Sequence, residues 1–183
     1  MQATEILMSE HRVIERVIAS LETAAGALSN GSNVRPEFFL QATDFVRGFA
    51  DGCHHKKEEG VLFKAMSENG LPENEGPVAM MLLEHEQGRG FIRGLRAAAQ
   101  DLANGNQAAR AEVVKNALGY GSLLRQHIQK EDKVLFPMAD QVIPLDEHDA
   151  VLDGFEHVEH EETGVGVHEK YLALAEALEK EIA

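Results

Sequence analysis

Two segments of the sequence repeat one another. His54-His55-Lys56-Lys57-Glu58-Glu59-Gly60-Val61-Leu62-Phe63 aligns without a gap on His127-Ile128-Gln129-Lys130-Glu131-Asp132-Lys133-Val134-Leu135-Phe136, and both read H-x-x-x-E-[ED]-x-V-L-F. Side chains four residues apart lie on one face of a helix. His54 with Glu58, and His127 with Glu131, therefore each present an imidazole and a carboxylate to the same neighbour. The alignment pairs His127 with His54 rather than with His55. Two more histidines, His11 and His85, interrupt apolar stripes elsewhere in the chain. Imidazole and carboxylate donors together suit iron or manganese, and zinc less selectively; without thiolates the softer metals are disfavoured. A carboxylate can bridge two cations, so the pair Glu58 and Glu131 points to a dinuclear centre.

The elements that must position these side chains are helices. The first block runs from about Thr4 to Ser29 and stops at Asn30-Gly31, residues that tolerate the left-handed conformation ending a helix. Pro36 opens the second block, which continues to Glu68 before Asn69-Gly70. Gly76-Pro77 opens the third, ended by Asn104-Gly105. The fourth runs from about Ala108 to Phe136, where Pro137 is expected to limit it. Beyond a loop around Pro144 come a shorter segment, Asp146 to Glu162, and an amphipathic piece, His168 to Ile182. Four long helices on short connections predict an all-α fold, an antiparallel up-down four-helix bundle over about 4–138. The C-terminal helical extension, about 146–182, is expected across the bundle or along one edge. No low-complexity linker divides the chain, which reads as a single domain over 1–183.

Each long helix carries its ionisable groups inside an apolar seam. The first seam is Leu7, His11, Ile14, Ile18, Leu21, Ala25 and Leu28; the third is Val78, Met81, His85, Gly88, Ile92, Leu95, Ala99 and Leu102. The fourth reads Val113, Ala117, Tyr120, Leu124, His127, Glu131, Val134 and Met138, and the less regular second reads Val46, Ala50, His54, Glu58, Val61 and Ala65. An unpaired buried charge costs on the order of several kcal/mol, and a shared cation removes that cost. Counted from the helix ends at 1.5 Å per residue, His85 and His127 fall at matching depths, while His11 and His54 differ by roughly 10 Å. Uncertain ends and loop geometry absorb much of that offset, so the six groups are expected at one level.

Composition bounds the function. The 44% hydrophobic content excludes a disordered chain, and 5% aromatic residues argue against a β-sandwich. A formal net charge of -14 repels phosphate, which argues against nucleic acid and anionic membranes as partners. Cys53 is the single cysteine, so no intramolecular disulfide forms, as in a reducing compartment. The first residues contain Glu5 and Glu10 and no apolar run of signal-peptide length, and nothing approaches the roughly 20 apolar residues that span a bilayer. A cytoplasmic protein is expected.

The order His11, His54-x-x-x-Glu58, His85, His127-x-x-x-Glu131, with the surrounding EHRVIE, HHKKEEGVLF, LLEHEQGR and HIQKEDKVLF, resembles the hemerythrin-like family, the HHE cation-binding domain, over roughly residues 1–140. That resemblance implies a non-haem di-iron centre with Glu58 and Glu131 as bridging carboxylates and His11, His54, His85 and His127 as terminal ligands. It further implies a small diatomic or peroxide ligand: O2, NO or peroxide, bound or sensed. A di-iron redox enzyme acting on those molecules, or an iron-storage or structural bundle, are the alternatives. Two departures argue against simple O2 carriage. Arg89 stands where the oxygen carriers have a second third-helix histidine, and Glu131 follows His127 by four residues where they place an aspartate at five, here Asp132. Arg89 is expected to extend to solvent. His55 and Glu59, about 100° round the helix from His54 and Glu58, are expected to be solvated or to act behind the ligands. Glu15, one turn after His11, reads as a surface carboxylate, and the charged stretch Phe155 to Glu162 as a solvent face. Tyr120 is expected in the core.

Overall fold

The structure, a computed structural model, describes residues 3–183, so Met1 and Gln2 of the expected domain lie outside the described residues. All regular structure among them is helical, with no strand. Helix α1 covers Ala3–Ser29 and closes through Gly31, whose φ of 86° is open to glycine alone at little cost. The second block, expected as one regular helix, is one continuous helical run over 36–68 of changing pitch. It comprises α2 (Pro36–Phe45), a π-helical stretch Val46–His55, a second π-helical stretch Glu58–Leu62, and α3 (Phe63–Glu68). Helix α4, Gly76–Ala103, begins and ends at the expected Gly-Pro and Asn-Gly punctuation. A 3-10 turn, Gln107–Ala109, leads into α5 (Arg110–Lys130), π-helical Glu131–Leu135 and α6 (Phe136–Val142).

Pro137 therefore does not end the fourth helix. Proline normally clashes with the carbonyl four residues back. Here the preceding turn is widened, the Phe136 N–H donating to the Glu131 carbonyl five residues back. The looser turn accommodates the ring, and the helix continues to Val142. After a 3-10 turn at Leu145–Glu147 come α7 (His148–His157), a π-helical stretch Val158–Gly164 and α8 (Val167–Ile182).

The hydrophobic core divides into two clusters. One contains Ile14 to Leu28, Phe38 to Ala50, Ile92 to Leu102 and Val113 to Ile128; the other contains Leu7, Leu62, Phe63, Met66, Val78, Met81, Leu135, Phe136 and Ala139. On every long helical run the expected ionisable groups fall between the two, after Leu7, before Leu62, after Met81 and before Leu135. A polar layer thus crosses the molecule between two apolar blocks. Extended apolar packing above and below fixes that layer from both sides, because close-packed interiors tolerate little displacement.

The C-terminal extension packs along α1 and α2 through α8. Phe45 meets Tyr171 edge to face, and His168 tilts over Phe49. Gly48 is where this contact needs glycine: a Cβ there would collide with the Tyr171 ring. Ion pairs Arg16–Glu179 and Arg35–Glu181 hold the exposed edge of α8. Exposed pairs of this kind are worth about 1 kcal/mol or less, so the docking rests mainly on these ring contacts and on Ala175 and Leu178, which α8 buries in the core. No helix among the described residues is long and apolar enough to cross a membrane.

Candidate metal centre

His11 from α1, His54 and Glu58 from the second helical run, His85 from α4, and His127 and Glu131 from the fourth come together in one layer. All six are buried, none more than 1% exposed. Each carboxylate faces two imidazoles with different oxygens. Glu58 sets Oε1 3.3 Å from His54 Nε2 and Oε2 3.4 Å from His85 Nε2. Glu131 sets Oε2 3.3 Å from His11 Nε2 and Oε1 3.2 Å from His127 Nε2. The layer thereby divides into two halves, His11 with His54 and His85 with His127, and both carboxylates span them. The rings of His11 and His54 lie 4.7 Å apart between centroids, at one level as expected. His85 and His127 bring their Nε2 atoms to 3.0 Å.

Behind each ring stands a carboxylate. Nδ1 of His11 donates to Asp132 at 2.7 Å, Nδ1 of His54 to Glu10 at 2.9 Å, Nδ1 of His85 to Glu59 at 2.7 Å and Nδ1 of His127 to Glu84 at 3.0 Å. A carboxylate on Nδ1 fixes the tautomer and turns Nε2 toward the centre, the usual outer support of a metal-ligating histidine. These partners are themselves tethered: Asp132 by Arg12, Glu10 by Lys57, Glu59 by Arg89 and Glu84 by Lys130. Glu15 pairs with Arg12 instead of reaching His11.

Electrostatics follow from the crowding. Burial opposes protonation of His54, but the charge of Glu58 and the hydrogen bond to Glu10 lift it to about 10. His127 is likewise lifted against burial to about 9, by Glu131 first and Glu84 after it. Contacts with Asp132 and Glu131 raise His11, again against burial. Burial and the mutual repulsion of the two carboxylates oppose ionisation of Glu58, yet His54 holds it below its ordinary value; Glu131 is held well below by His127 and His11. Without a cation, the layer is held together by imidazolium–carboxylate attraction.

That attraction leaves polar atoms unsatisfied. Both oxygens of Glu58, both oxygens of Glu131 and Nε2 of His11 are buried without a hydrogen-bond partner. Buried carboxylate oxygens are ordinarily bonded, and an orphaned one costs at least about 1–3 kcal/mol. Four of them facing imidazole nitrogens form a donor set that two cations would satisfy. The ligand atoms of His11, His54, Glu58 and Glu131 all lie within 4.8 Å of one another, as do those of His55, Glu58, His85 and His127. The residues present fit a pair of metal ions of imidazole and carboxylate preference. Glu10, Cys53 and Glu159 are also near one another, but the Lys57 ammonium already sits between the two carboxylates, so that group needs no cation.

His55 is not solvated. It is 5% exposed and its ring stacks on His85 at 3.9 Å between centroids. Burial and the neighbouring His85 push its pKa down to about 3, keeping the ring neutral. Arg89 does not extend to solvent either: its Nε donates to Asp51 and its guanidinium to Glu59, both at 2.7 Å. Residues of α4 and α5 with the second helical run enclose a cavity of about 570 Å³ that reaches His55 and His85. Val46, Gly88, Ile92 and Leu124 line its apolar wall, and Arg47, Arg89, Arg93 and Arg96 also border it. Tyr120 lines it too, its hydroxyl buried with no hydrogen-bond partner.

Glu10, Glu84, Asp132 and Lys57 belong to this layer of contacts, and sequence periodicity did not single them out. Lys57 is fully buried, donating to Glu10 at 2.5 Å and to Glu159 at 2.9 Å. Glu159 belongs to the charged stretch expected to face solvent, so the extension touches the support of His54 through it, and also through His168, whose Nε2 lies 3.9 Å from Glu10. Removing one partner of a buried ion pair costs roughly 3–5 kcal/mol. Lys57→Met is therefore expected to lower stability by that order and Glu159→Ala, at the half-buried end, by about 1 kcal/mol or less. Urea unfolding of the two variants checks the ranking; equal losses would contradict it.

The sequence model of the hemerythrin HHE cation binding domain matches residues 2–139. The C-terminal extension lies beyond the match. The chain is 24% identical over 162 residues to uncharacterized proteins of Mycobacterium tuberculosis and of Mycobacterium bovis, the aligned part covering 88% of this chain and 63% of each relative. It thus spans less than two thirds of the length of those relatives. No solved structure matches.

Proposed function

This chain belongs to the hemerythrin HHE cation-binding family, and on that premise we propose that it holds two non-haem iron ions and uses them to bind or sense a small molecule such as O2, NO or peroxide. The observation that carries the dinuclear reading is the division of each buried carboxylate between two pairs of histidines. His11 and His54 would serve one ion, His85 and His127 the other, with Glu58 and Glu131 shared. Bound iron would supply an electrophilic, redox-active position for the small ligand.

The chain's own groups supply the rest. Glu10, Glu59, Glu84 and Asp132 keep each imidazole N–H directed outward, so Nε2 stays free to donate its lone pair inward. The two apolar clusters exclude water from the layer on both sides, which strengthens every electrostatic contact inside it. The cavity gives access on the His85 side, and the unpartnered Tyr120 hydroxyl offers one hydrogen bond to a molecule entering there. Around this centre we infer an antiparallel up-down four-helix bundle over 4–138, within a single domain over 1–183. The alternating order in which the four helical runs pass between the two apolar clusters supports it.

Elemental analysis of protein from iron-replete cells tests the reading: about two irons per chain are expected, and none would sink it. Tyr120→Phe is expected to leave metal content unchanged and to weaken azide binding to the iron-loaded protein by about 5- to 10-fold, the worth of about one hydrogen bond. An unaltered azide affinity would remove Tyr120 from the ligand site.

A further inference from the structure

We propose that His55 is a fifth imidazole donor to the metal centre, serving the half held by His85 and His127. The proposal rests on the dinuclear reading and deepens it. Its ligand atom belongs to the same tight group as those of Glu58, His85 and His127, within 4.8 Å. The ring lies face to face with His85 and edge-on to His127, at 3.9 and 6.1 Å between centroids. The one hydrogen-bond contact of this ring among the described residues is Nδ1 to Asp51, at 3.4 Å, and the residue lines the cavity. His55 thus shares the arrangement of the other four rings: a carboxylate behind Nδ1, and Nε2 left for another partner.

Two further observations explain why the chain needs it. The His85 half borders the cavity, the side from which a further side chain can approach it. Arg89, one turn after His85 on α4, supplies no ligand there. Its guanidinium instead holds Asp51 and Glu59 together, the carboxylates behind His55 and His85. One arginine thereby orients two neighbouring imidazoles from different helices. The π-helical stretch Val46–His55 makes the placement possible. Its wide turns depart from the 3.6-residue pitch, so adjacent residues His54 and His55 reach opposite halves of one centre.

Cobalt(II) loading of the metal-free full chain tests this. Each ligating imidazole that keeps its Nδ1 proton gives one exchangeable, paramagnetically shifted proton resonance, and five are expected in the unaltered protein. Two bound cobalt ions with only four such resonances would overturn the role of His55 while leaving the dinuclear reading intact. Failure to bind cobalt at all would overturn both. His55→Ala is expected to lose one resonance, to bind one of the two ions about 10- to 100-fold more weakly, and to regain the lost spectral feature when free imidazole is added. Unchanged resonances and affinities in that variant would also overturn the proposal.

Discussion

Glu58→Ala and Glu131→Ala are each expected to lose both metal ions, whereas His11→Ala is expected to weaken one. The reasoning is geometric. Glu58 gives one oxygen to the His54 side and the other to the His85 side, and Glu131 divides between His11 and His127 in the same way. Deleting either carboxylate withdraws a donor from both positions and a negative charge from the space between them. Two cations close together in a dry layer repel strongly, and the shared carboxylates are what offsets that repulsion. Loss of a mere outer-shell partner weakens metal binding by roughly 10- to 100-fold; loss of a shared ligand is expected to exceed that for each ion. His11→Ala removes a donor from one half only. Metal content per chain after dialysis against a weak chelator distinguishes the three variants. Full metal content and an unaltered spectrum in both glutamate variants would refute the assignment. Glu131→Gln keeps the side-chain volume, and circular dichroism on it separates loss of metal from loss of fold.

The convergence of six buried histidines and glutamates was legible in the sequence because most of them follow a regular helical period. His11 and His85 interrupt seams of unbroken α-helix, and both are buried where the period places them. The H-x-x-x-E repeat was legible for the same reason, since four residues span one turn in either pitch closely enough to keep a histidine and a glutamate together. What periodicity could not show lies at the π-helical stretches. A step of 100° per residue sends His55 toward solvent and Val134 into the core; the wider turns do the reverse, burying His55 and leaving Val134 51% exposed. In the second run full burial falls on Leu62, Phe63 and Met66, while Val61 and Ala65 pack partly buried against the same cluster. Glu10, Glu84 and Asp132 were illegible on other grounds. Each occupies a helix flank next to one of the six buried groups, where a carboxylate is ordinarily solvated, and only the facing helix reveals the imidazole it supports.

The second large effect is a change in how stability depends on pH when metal is removed. In the metal-free protein His54 and His127 titrate near 10 and 9, and His11 is raised as well, against about 6.5 in an unfolded chain. A raised imidazole adds stability that is complete below the unfolded value and is lost as pH rises through the folded one. Between pH 7 and 9 the folded state therefore holds protons at His54 and His127 that the unfolded state has released. The slope approaches 1.4 kcal/mol per pH unit for each ring, or roughly 5 kcal/mol for both across that window as an upper figure. Glu58 and Glu131 act at the other end: their lowered values add stability above about 4.5 that disappears as the solution becomes more acidic. His55, held neutral near 3, also costs stability below about 6.5, where the unfolded ring takes up a proton. Metal-free protein should thus be most stable near pH 6 to 7 and weaken steadily toward pH 9. Metal binding removes the alkaline limb, because coordination needs neutral imidazoles and displaces the protons that held the layer together. The unfolding midpoint in urea, measured at pH 6.5, 8 and 9.5 with and without chelator, is expected to diverge with rising pH, the loaded protein holding its midpoint while the chelated one falls. Loading at pH 7 should release protons from His11, His54 and His127, countable in a pH-stat. A chelated protein equally stable at pH 6.5 and 9.5 would show that the buried imidazoles are neutral without metal, and that the orphaned carboxylates are balanced by something other than their histidines.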